Sequence, residues 1–526
     1  MEVSILFGGK AGQGPNVLAD ILGKALVGLG YHVFCSRDYQ SLIRGGHNFN
    51  VLTFSDSPIF SNESKINILV CLDENTEKTH SKNLKKGGII LNGQTKENPF
   101  GGSSKLGQTK ENMYYAGCLF KILGLDFHIL DNELKVLEKK YNENIKNAKE
   151  GYNFEKTKIN IPKIKKIERQ YTNGGQGVAE GAIRSGLDLY YAYPMTPATS
   201  VLTELAQKQT QDNFLVLELE SEISVINAAI GSAITGAKSM VGTSGGGFDL
   251  MTEALSLVGM AEVPLIIYLA QRPGPSTGVP TYTGQGDLNM ALKSGHGEFP
   301  RMVLAPGDPI ECQEITSQSF YFSQKFKIPV IIMSDKHLAE SFYTLDEKPV
   351  ITKSEKSTSL TRYNSYESDA SGAMTDDPKI IIKNSIDRLE KGLNIEKEAK
   401  KFSQYKIYGK KNSKNVIVSW GSTKGAILDA IKDVDCCFLQ ILYIDPFPKE
   451  VKKYFEKNNV MLVENNLTAQ LGQVIMEKTG FLIENRNKIL RFDGRPFLAD
   501  ELKNEIKIRI KDSNATAKNV GRKRLK

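Results

Sequence analysis

Along this 526-residue chain, short apolar runs alternate with stretches whose apolar residues recur every three or four positions. The runs read as strands: Val3–Phe7, Ile66–Leu72, Gly88–Leu91, Leu189–Tyr193, Ser239–Gly242, Val263–Ala270, Asn415–Trp420, Phe438–Leu442 and Val460–Glu464. Helical spacing follows several of them. Val17, Leu18, Ile21, Leu22 and Leu26 share one helix face after the first strand. Strand–helix alternation predicts α/β domains. The opening strand, glycine-rich turn and helix predict a doubly wound unit.

The segment Glu218–Gly231 is the most informative. It ends an alternating strand and opens a helix with Ile223, Ile226, Ile230 and Ile234 on its predicted core face. Glu222 sits at the junction, where an enzyme can place a proton-handling carboxylate. A helix-start acid that complements the dipole is the plainer alternative. Strand alternation would place Glu218, Glu220 and Glu222 on one face, so the first two compete for the role.

Punctuation divides the chain. Residues 1–165 form a first domain, and 140–168 read as a lysine- and asparagine-rich linker or solvated helix. Residues 170–350 form a second domain. A polar connector, 351–414, has one helical stretch at Ile380–Leu393. Residues 415–510 form a third α/β domain, and 511–526 a basic tail expected to be disordered. About three domains suit this length.

Composition narrows the class. Hydrophobic residues make up 40%, and the net charge of +8 is spread out except at Arg522-Lys523-Arg524-Leu525-Lys526. No aromatic residues accompany that run, so no nucleic-acid partner is expected. The six cysteines include no Cys-x-x-Cys pair, which argues against a disulfide framework and against a cluster or zinc site on this chain. No signal peptide and no membrane-spanning run are read, so the expectation is a soluble cytoplasmic protein.

Candidate chemistry gathers beyond the carboxyl ends of strands, where open α/β sheets hold ligands. Thr196 lies between Pro194 and Pro197, which stiffen its loop. Ser244 and Gly245 open a glycine-rich turn with Gly246 and Gly247. Arg272 begins the run Arg272-Pro273-Gly274-Pro275-Ser276-Thr277-Gly278, with Thr281 beyond it; the alternative for Arg272 is a surface charge beside a proline turn. His296, between two glycines, is either an acid–base group or a loop former. Gly9, Gly12 and Gly14 do not have the dinucleotide-binding spacing. That leaves a tight turn or a phosphate site, and Asp38 is the best candidate for an acid ending a second strand. Arg44-Gly45-Gly46 would allow close backbone approach.

The chain resembles the alpha subunits of 2-oxoacid:ferredoxin oxidoreductases with a gamma domain fused ahead. The resemblance rests on Tyr193-Pro194-Met195-Thr196-Pro197, the run Gln271–Thr281, Gly295-His296-Gly297-Glu298-Phe299-Pro300-Arg301 and Ala305-Pro306-Gly307-Asp308-Pro309. In the third domain it rests on Trp420-Gly421-Ser422-Thr423, Asp445-Pro446-Phe447-Pro448 and Asp493-Gly494-Arg495-Pro496-Phe497. Gly175-Gln176 departs from the family's Asn-Glu, and Gly246 replaces a common proline.

The resemblance implies a gamma-type α/β domain, a pyrimidine-binding α/β domain and a transketolase C-terminal-like α/β domain. It implies oxidative decarboxylation of a 2-oxoacid to an acyl-CoA, with 2-oxoglutarate favoured over pyruvate or branched-chain 2-oxoacids. Thiamine diphosphate with Mg2+ would be shared with a beta subunit that carries a 4Fe–4S cluster, coenzyme A would be co-substrate, and ferredoxin would take the electrons. No metal site is implied on this chain. Glu222 would pair with N1′ of the aminopyrimidine and so help remove the C2 proton. Ser244 and Gly245 would line the cofactor, Thr196, Arg272 and Thr281 the substrate, and Gly9, Gly12, Gly14 and Arg44 coenzyme A or a domain contact. A non-catalytic α/β scaffold binding a nucleotide at Gly9–Gly14 is the competing class.

Overall fold

The computed structural model describes residues 1–40, 46–92, 108–136, 140–357 and 364–524. They form two compact units: 1–172 with 341–346 and 498–501, and 173–340 with 347–497 and 502–526.

The first unit holds a seven-stranded sheet. Its order is Leu84–Asn92, Ile66–Cys71, Glu2–Lys10, His47–Ser55, His32–Tyr39, Phe342–Leu345, Gln170–Asn173. Glu2–Lys10 pairs parallel with Ile66–Cys71 but antiparallel with His47–Ser55. The doubly wound opening expected from the sequence is therefore interrupted by an antiparallel strand. Two strands, His32–Tyr39 and His47–Ser55, went unread because polar residues stand on their buried positions. Thr53 donates to Asn62 at 2.7 Å, Asn62 donates to Ser36 at 2.8 Å, and the Ser4 and Thr53 hydroxyls lie 2.9 Å apart. The hydroxyls and amide of this Ser4–Thr53–Asn62–Ser36 chain satisfy one another, so their burial costs little. Asp38 is the penultimate residue of the strand His32–Tyr39, in register with Phe49.

Helix Pro15–Gly28 buries Leu18, Ile21, Leu22 and Leu26 and leaves Val17 exposed. The segment expected as a linker contains helix Tyr141–Phe154, which packs closely on helix Gln108–Ile122. Gly117 and Gly151 permit the contact: a Cβ at Gly117 would fall 1.9 Å from the Ala148 carbonyl oxygen, and one at Gly151 2.0 Å from that of Tyr114. Glycine packing has no hydrophobic period, which is why this core helix read as solvated.

The second unit holds two sheets. The seven-stranded one runs Tyr443–Asp445, Met302–Leu304, Pro329–Asp335, Leu265–Gln271, Ser239–Thr243, Leu189–Ala192, Leu215–Glu218, all parallel except Tyr443–Asp445. Its central strands are buried along their whole length, as expected of a sheet covered on both faces. The five-stranded sheet runs Tyr405–Gly409, Cys437–Ile441, Asn415–Ser419, Asn459–Glu464, Lys488–Leu490.

The two sheets share one unit because groups cross between them. Lys424 pairs with Asp308 and, at 2.6 Å, with Glu311. Gln440 donates to Glu311 at 2.6 Å and the Gly307 N–H at 2.7 Å. The Gln285 amide donates to the Trp420 carbonyl at 3.0 Å.

Three boundaries differ from the sequence reading. Residues 341–346 belong with the first unit, where Phe342 and Tyr343 pair with Cys35 and Phe34. The connector holds helix Pro378–Ala399 and strand Tyr405–Gly409, an edge of the five-stranded sheet. The terminal helix spans Ala499–Arg524, so the tail expected to be disordered continues a helix, as its Ala, Lys and Arg content tolerates. No helix among the described residues is long and apolar enough to cross a membrane.

Candidate active site

Four backbone segments of the second unit converge at the carboxyl ends of its parallel strands. The first is the turn after Leu215–Glu218. Ser221 caps helix Glu222–Ile234 by accepting the Ser224 N–H, which makes Glu222 the first helical residue. The strand ends at Glu218, so alternation stops before it reaches Glu222. Glu218 and Glu220 are exposed, whereas Glu222 is only 4% exposed. That separates the three acids the sequence placed on one face. The helix is also rotated from its expected setting. Val225, Ile226, Ala229, Ile230 and Ala233 are buried, and Ile223 is exposed.

The second segment is Ser244-Gly245-Gly246-Gly247, the start of helix Gly245–Ala261. Gly247 is the seat of Glu222: a Cβ there would fall 2.7 Å from Glu222 Oε1 and 2.2 Å from the Thr243 hydroxyl. Gly245 makes the same room for Asp287, whose Oδ2 would lie 2.5 Å from a Cβ. Two acids thus flank one helix N-terminus, where its unpaired N–H groups and dipole favour negative charge. Gly246, where the family carries proline, faces open space.

The third segment carries Arg272. Its Nη1 donates to the Thr196 carbonyl oxygen at 2.9 Å. Burial lowers the Arg272 pKa, and Asp287 and then Glu222 pull it back up. Thr196 therefore meets Arg272 through its backbone carbonyl. Thr281 is buried in the same loop, which closes where the Val279 N–H donates to the Pro273 carbonyl at 3.0 Å.

The fourth segment carries Asp287, a residue the sequence reading missed. Its N–H donates to the Gln271 side chain at 3.0 Å. Burial pushes its carboxyl up to about 6, against the pull of Arg272. Its signal was available as an acid at the turn Gln285-Gly286-Asp287 before helix Leu288–Lys293.

Four buried polar atoms here have no hydrogen-bond partner: Glu222 Oε1, Ser244 Oγ, Arg272 Nε and Asp287 Oδ2. Leaving such groups unsatisfied is costly, so they mark a place prepared for a polar ligand. A carboxylate oxygen, a hydroxyl and a guanidinium N–H together suit a heteroaromatic ring nitrogen and an anionic substrate. His296 stands apart. It is exposed, its N–H donates to the Ser256 hydroxyl at 2.8 Å and its Nδ1 lies 2.8 Å from the same oxygen, the arrangement of a loop former.

In the first unit, Gly12 and Gly14 have φ of 88° and 84°, which other residues rarely adopt. Gly14 also admits Asn112, whose Nδ2 would lie 2.0 Å from a Cβ. A Cβ at Gly9 would meet Gln13 and Leu72 at 2.8 Å. These are the demands of a tight turn under a docked helix. Arg44 and Gly45 lie outside the described residues.

Residues 180–411 match the family model described as pyruvate flavodoxin/ferredoxin oxidoreductase, thiamine diphosphate-binding, and residues 4–154 match the pyruvate ferredoxin/flavodoxin oxidoreductase model. The fold, the site and these matches define the class as an oxidoreductase subunit with a thiamine-diphosphate-binding α/β domain. A Sulfolobus protein named 2-oxoacid:ferredoxin oxidoreductase subunit alpha is 30% identical, covering 97% of this chain and 98% of its own. The chain belongs to the family of 2-oxoacid:ferredoxin oxidoreductase alpha subunits. The 2-oxoglutarate synthase subunit KorA of Archaeoglobus fulgidus is 28% identical over 59% of this chain and 91% of its own. A 2-oxoglutarate:ferredoxin oxidoreductase of Magnetococcus marinus shares the fold, with a TM-score of 0.85 at 22% identity over 97% of this chain and 99% of that one.

Proposed function

We propose that this chain, with a beta subunit, oxidatively decarboxylates a 2-oxoacid, preferentially 2-oxoglutarate, to its acyl-CoA and passes the electrons to ferredoxin. The observation that carries the reading is the buried, partnerless Glu222 Oε1 set against Gly247. Thiamine diphosphate, when bound, supplies carbanion stabilisation. Glu222 holds a proton in common with ring nitrogen N1′, and its low exposure keeps water from competing for that proton. Ser244, whose Oγ is also buried without a partner, stands at the N-cap of the helix whose Gly247 seats Glu222.

Arg272 grips the substrate carboxylate, a geometry suited to two parallel hydrogen bonds. The Thr196 carbonyl holds one of its nitrogens and leaves Nε free to donate. Thr281 lines the same loop. Asp287 tempers the positive charge of Arg272 while the carboxylate is absent. The diphosphate, Mg2+ and a 4Fe–4S cluster belong to the beta subunit. Coenzyme A is co-substrate, and Gly9, Gly12, Gly14 and Arg44 are its candidate contacts or those of a domain interface.

2-Oxoglutarate is preferred because the KorA relatives are named for 2-oxoglutarate synthase and the Magnetococcus marinus enzyme has 2-oxoglutarate, coenzyme A and succinyl-CoA bound. Pyruvate is the second reading, supported by the family-model descriptions. The test is co-expression with the beta subunit and measurement of viologen reduction that depends on both 2-oxoacid and coenzyme A. Activity on pyruvate but not 2-oxoglutarate would reverse the substrate order, and activity on neither would defeat the reading.

A further inference from the structure

Helix Pro378–Ala399 carries an apolar stripe on the side away from its own unit. Ile382, Ile386, Leu389 and Leu393 are 60%, 49%, 67% and 57% exposed. They recur four, three and four residues apart, the spacing of a coiled-coil seam. The opposite side is what docks the helix. Asn384 donates to the Ser368 carbonyl at 3.0 Å, Arg388 to Glu367 at 2.6 Å and Lys391 to Glu262 at 2.5 Å, and Ile395 and Ala399 are buried. The helix is therefore fixed while its seam faces solvent.

The residues around the seam identify what covers it. Consider a second copy of the helix laid antiparallel about a twofold axis between Asp387 and Arg388. Ile382 then meets Leu393 of the second copy, and Ile386 meets Leu389. At the seam's ends Lys379 meets Glu396, which in the single chain lies 3.7 Å from Lys449. One flanking row of the helix reads Lys383, Glu390, Lys397. In this register Lys383 faces Glu390 of the second copy, and Glu390 faces its Lys383, so this row pairs opposite charges. The other row carries Ser385 and Gly392, small side chains that let the backbones approach. A parallel pairing would instead set Lys379 against Lys379 and Glu396 against Glu396.

We propose that this helix is a self-association surface through which two copies of the chain pair antiparallel along the Ile382–Leu393 seam. Sedimentation velocity of the full chain, alone and with its beta subunit, tests it. The wild type should double in mass with concentration up to ~100 µM, as a small interface requires. Leu389→Glu should weaken self-association at least tenfold without changing the melting temperature, since Leu389 is exposed. Lys383→Glu should weaken it severalfold, and Lys383→Glu with Glu390→Lys should restore it. A wild type that stays single, a dimer indifferent to Leu389→Glu, a double variant no better than Lys383→Glu, or release of the beta subunit instead of the second copy would each overturn the proposal.

Discussion

Arg272 is anchored to Thr196 by the carbonyl oxygen of that threonine, 2.9 Å from Nη1, and not by its hydroxyl. The contact with Arg272 uses the threonine backbone, and its hydroxyl takes no part in it. The distinction separates two variants that a motif alone would rank together.

Thr196→Ala keeps the carbonyl and should change kcat/KM for the 2-oxoacid by less than about threefold, whereas Arg272→Gln should lower it by roughly a hundredfold or more, chiefly through KM. Steady-state kinetics of the assembled enzyme checks both. A large loss in Thr196→Ala would return the hydroxyl to the substrate site.

Glu222→Gln retains size but cannot take up a proton. It should cut turnover by about 100- to 10,000-fold while the complex still assembles. Viologen reduction by the purified complex measures this, and a rate within twofold of wild type would remove Glu222 from the proton path.

Two adjacent glycines should behave differently. Gly247→Ala puts a methyl 2.2 Å from the Thr243 hydroxyl and 2.7 Å from Glu222 Oε1, so it should displace the acid and abolish activity. Gly246→Ala meets nothing within 4 Å and should leave both activity and melting temperature near wild type. Equal losses in the two would show that backbone flexibility, not room for Glu222, is what the turn requires.

Asp287 predicts a pH effect with a definite sign. Burial raises its carboxyl to about 6, above its ordinary value, so the folded state holds the proton more tightly than the unfolded chain. Its contribution favours folding at low pH and is lost as pH rises from about 4 through 6, leaving a cost on the order of 1–3 kcal/mol at neutral pH. Asp287→Asn should therefore raise the melting temperature at pH 8 and have no effect near pH 3.5. Thermal melts across that range decide it; stabilisation confined to acid pH would contradict the burial argument.

Much of the second unit was legible because its parallel strands are buried on both faces and so appear as continuous apolar runs. Leu265–Gln271 and Ser239–Thr243 fall within a residue or two of their expected bounds. The motif residues at their ends were legible too, since a proline-bounded threonine and a glycine run are local features. His47–Ser55 was not, because Asn48, Asn50 and Thr53 occupy its buried positions and their partners come from other segments. Helix Tyr141–Phe154 was hidden for a similar reason, its packing resting on glycines.

The chain's own order of residues determined which segments extend, which coil, and which chemical groups stand at their ends, because alternation, helical period and turn residues act over a few positions. Folding in three dimensions decided that Glu222 is sealed while Glu218 and Glu220 are not, that Asp287 joins Arg272, and that Ile223 turns outward. Those outcomes depend on where a strand stops and how a helix is rotated against its neighbours. Both are set by atoms distant in the chain, whose positions no local pattern encodes.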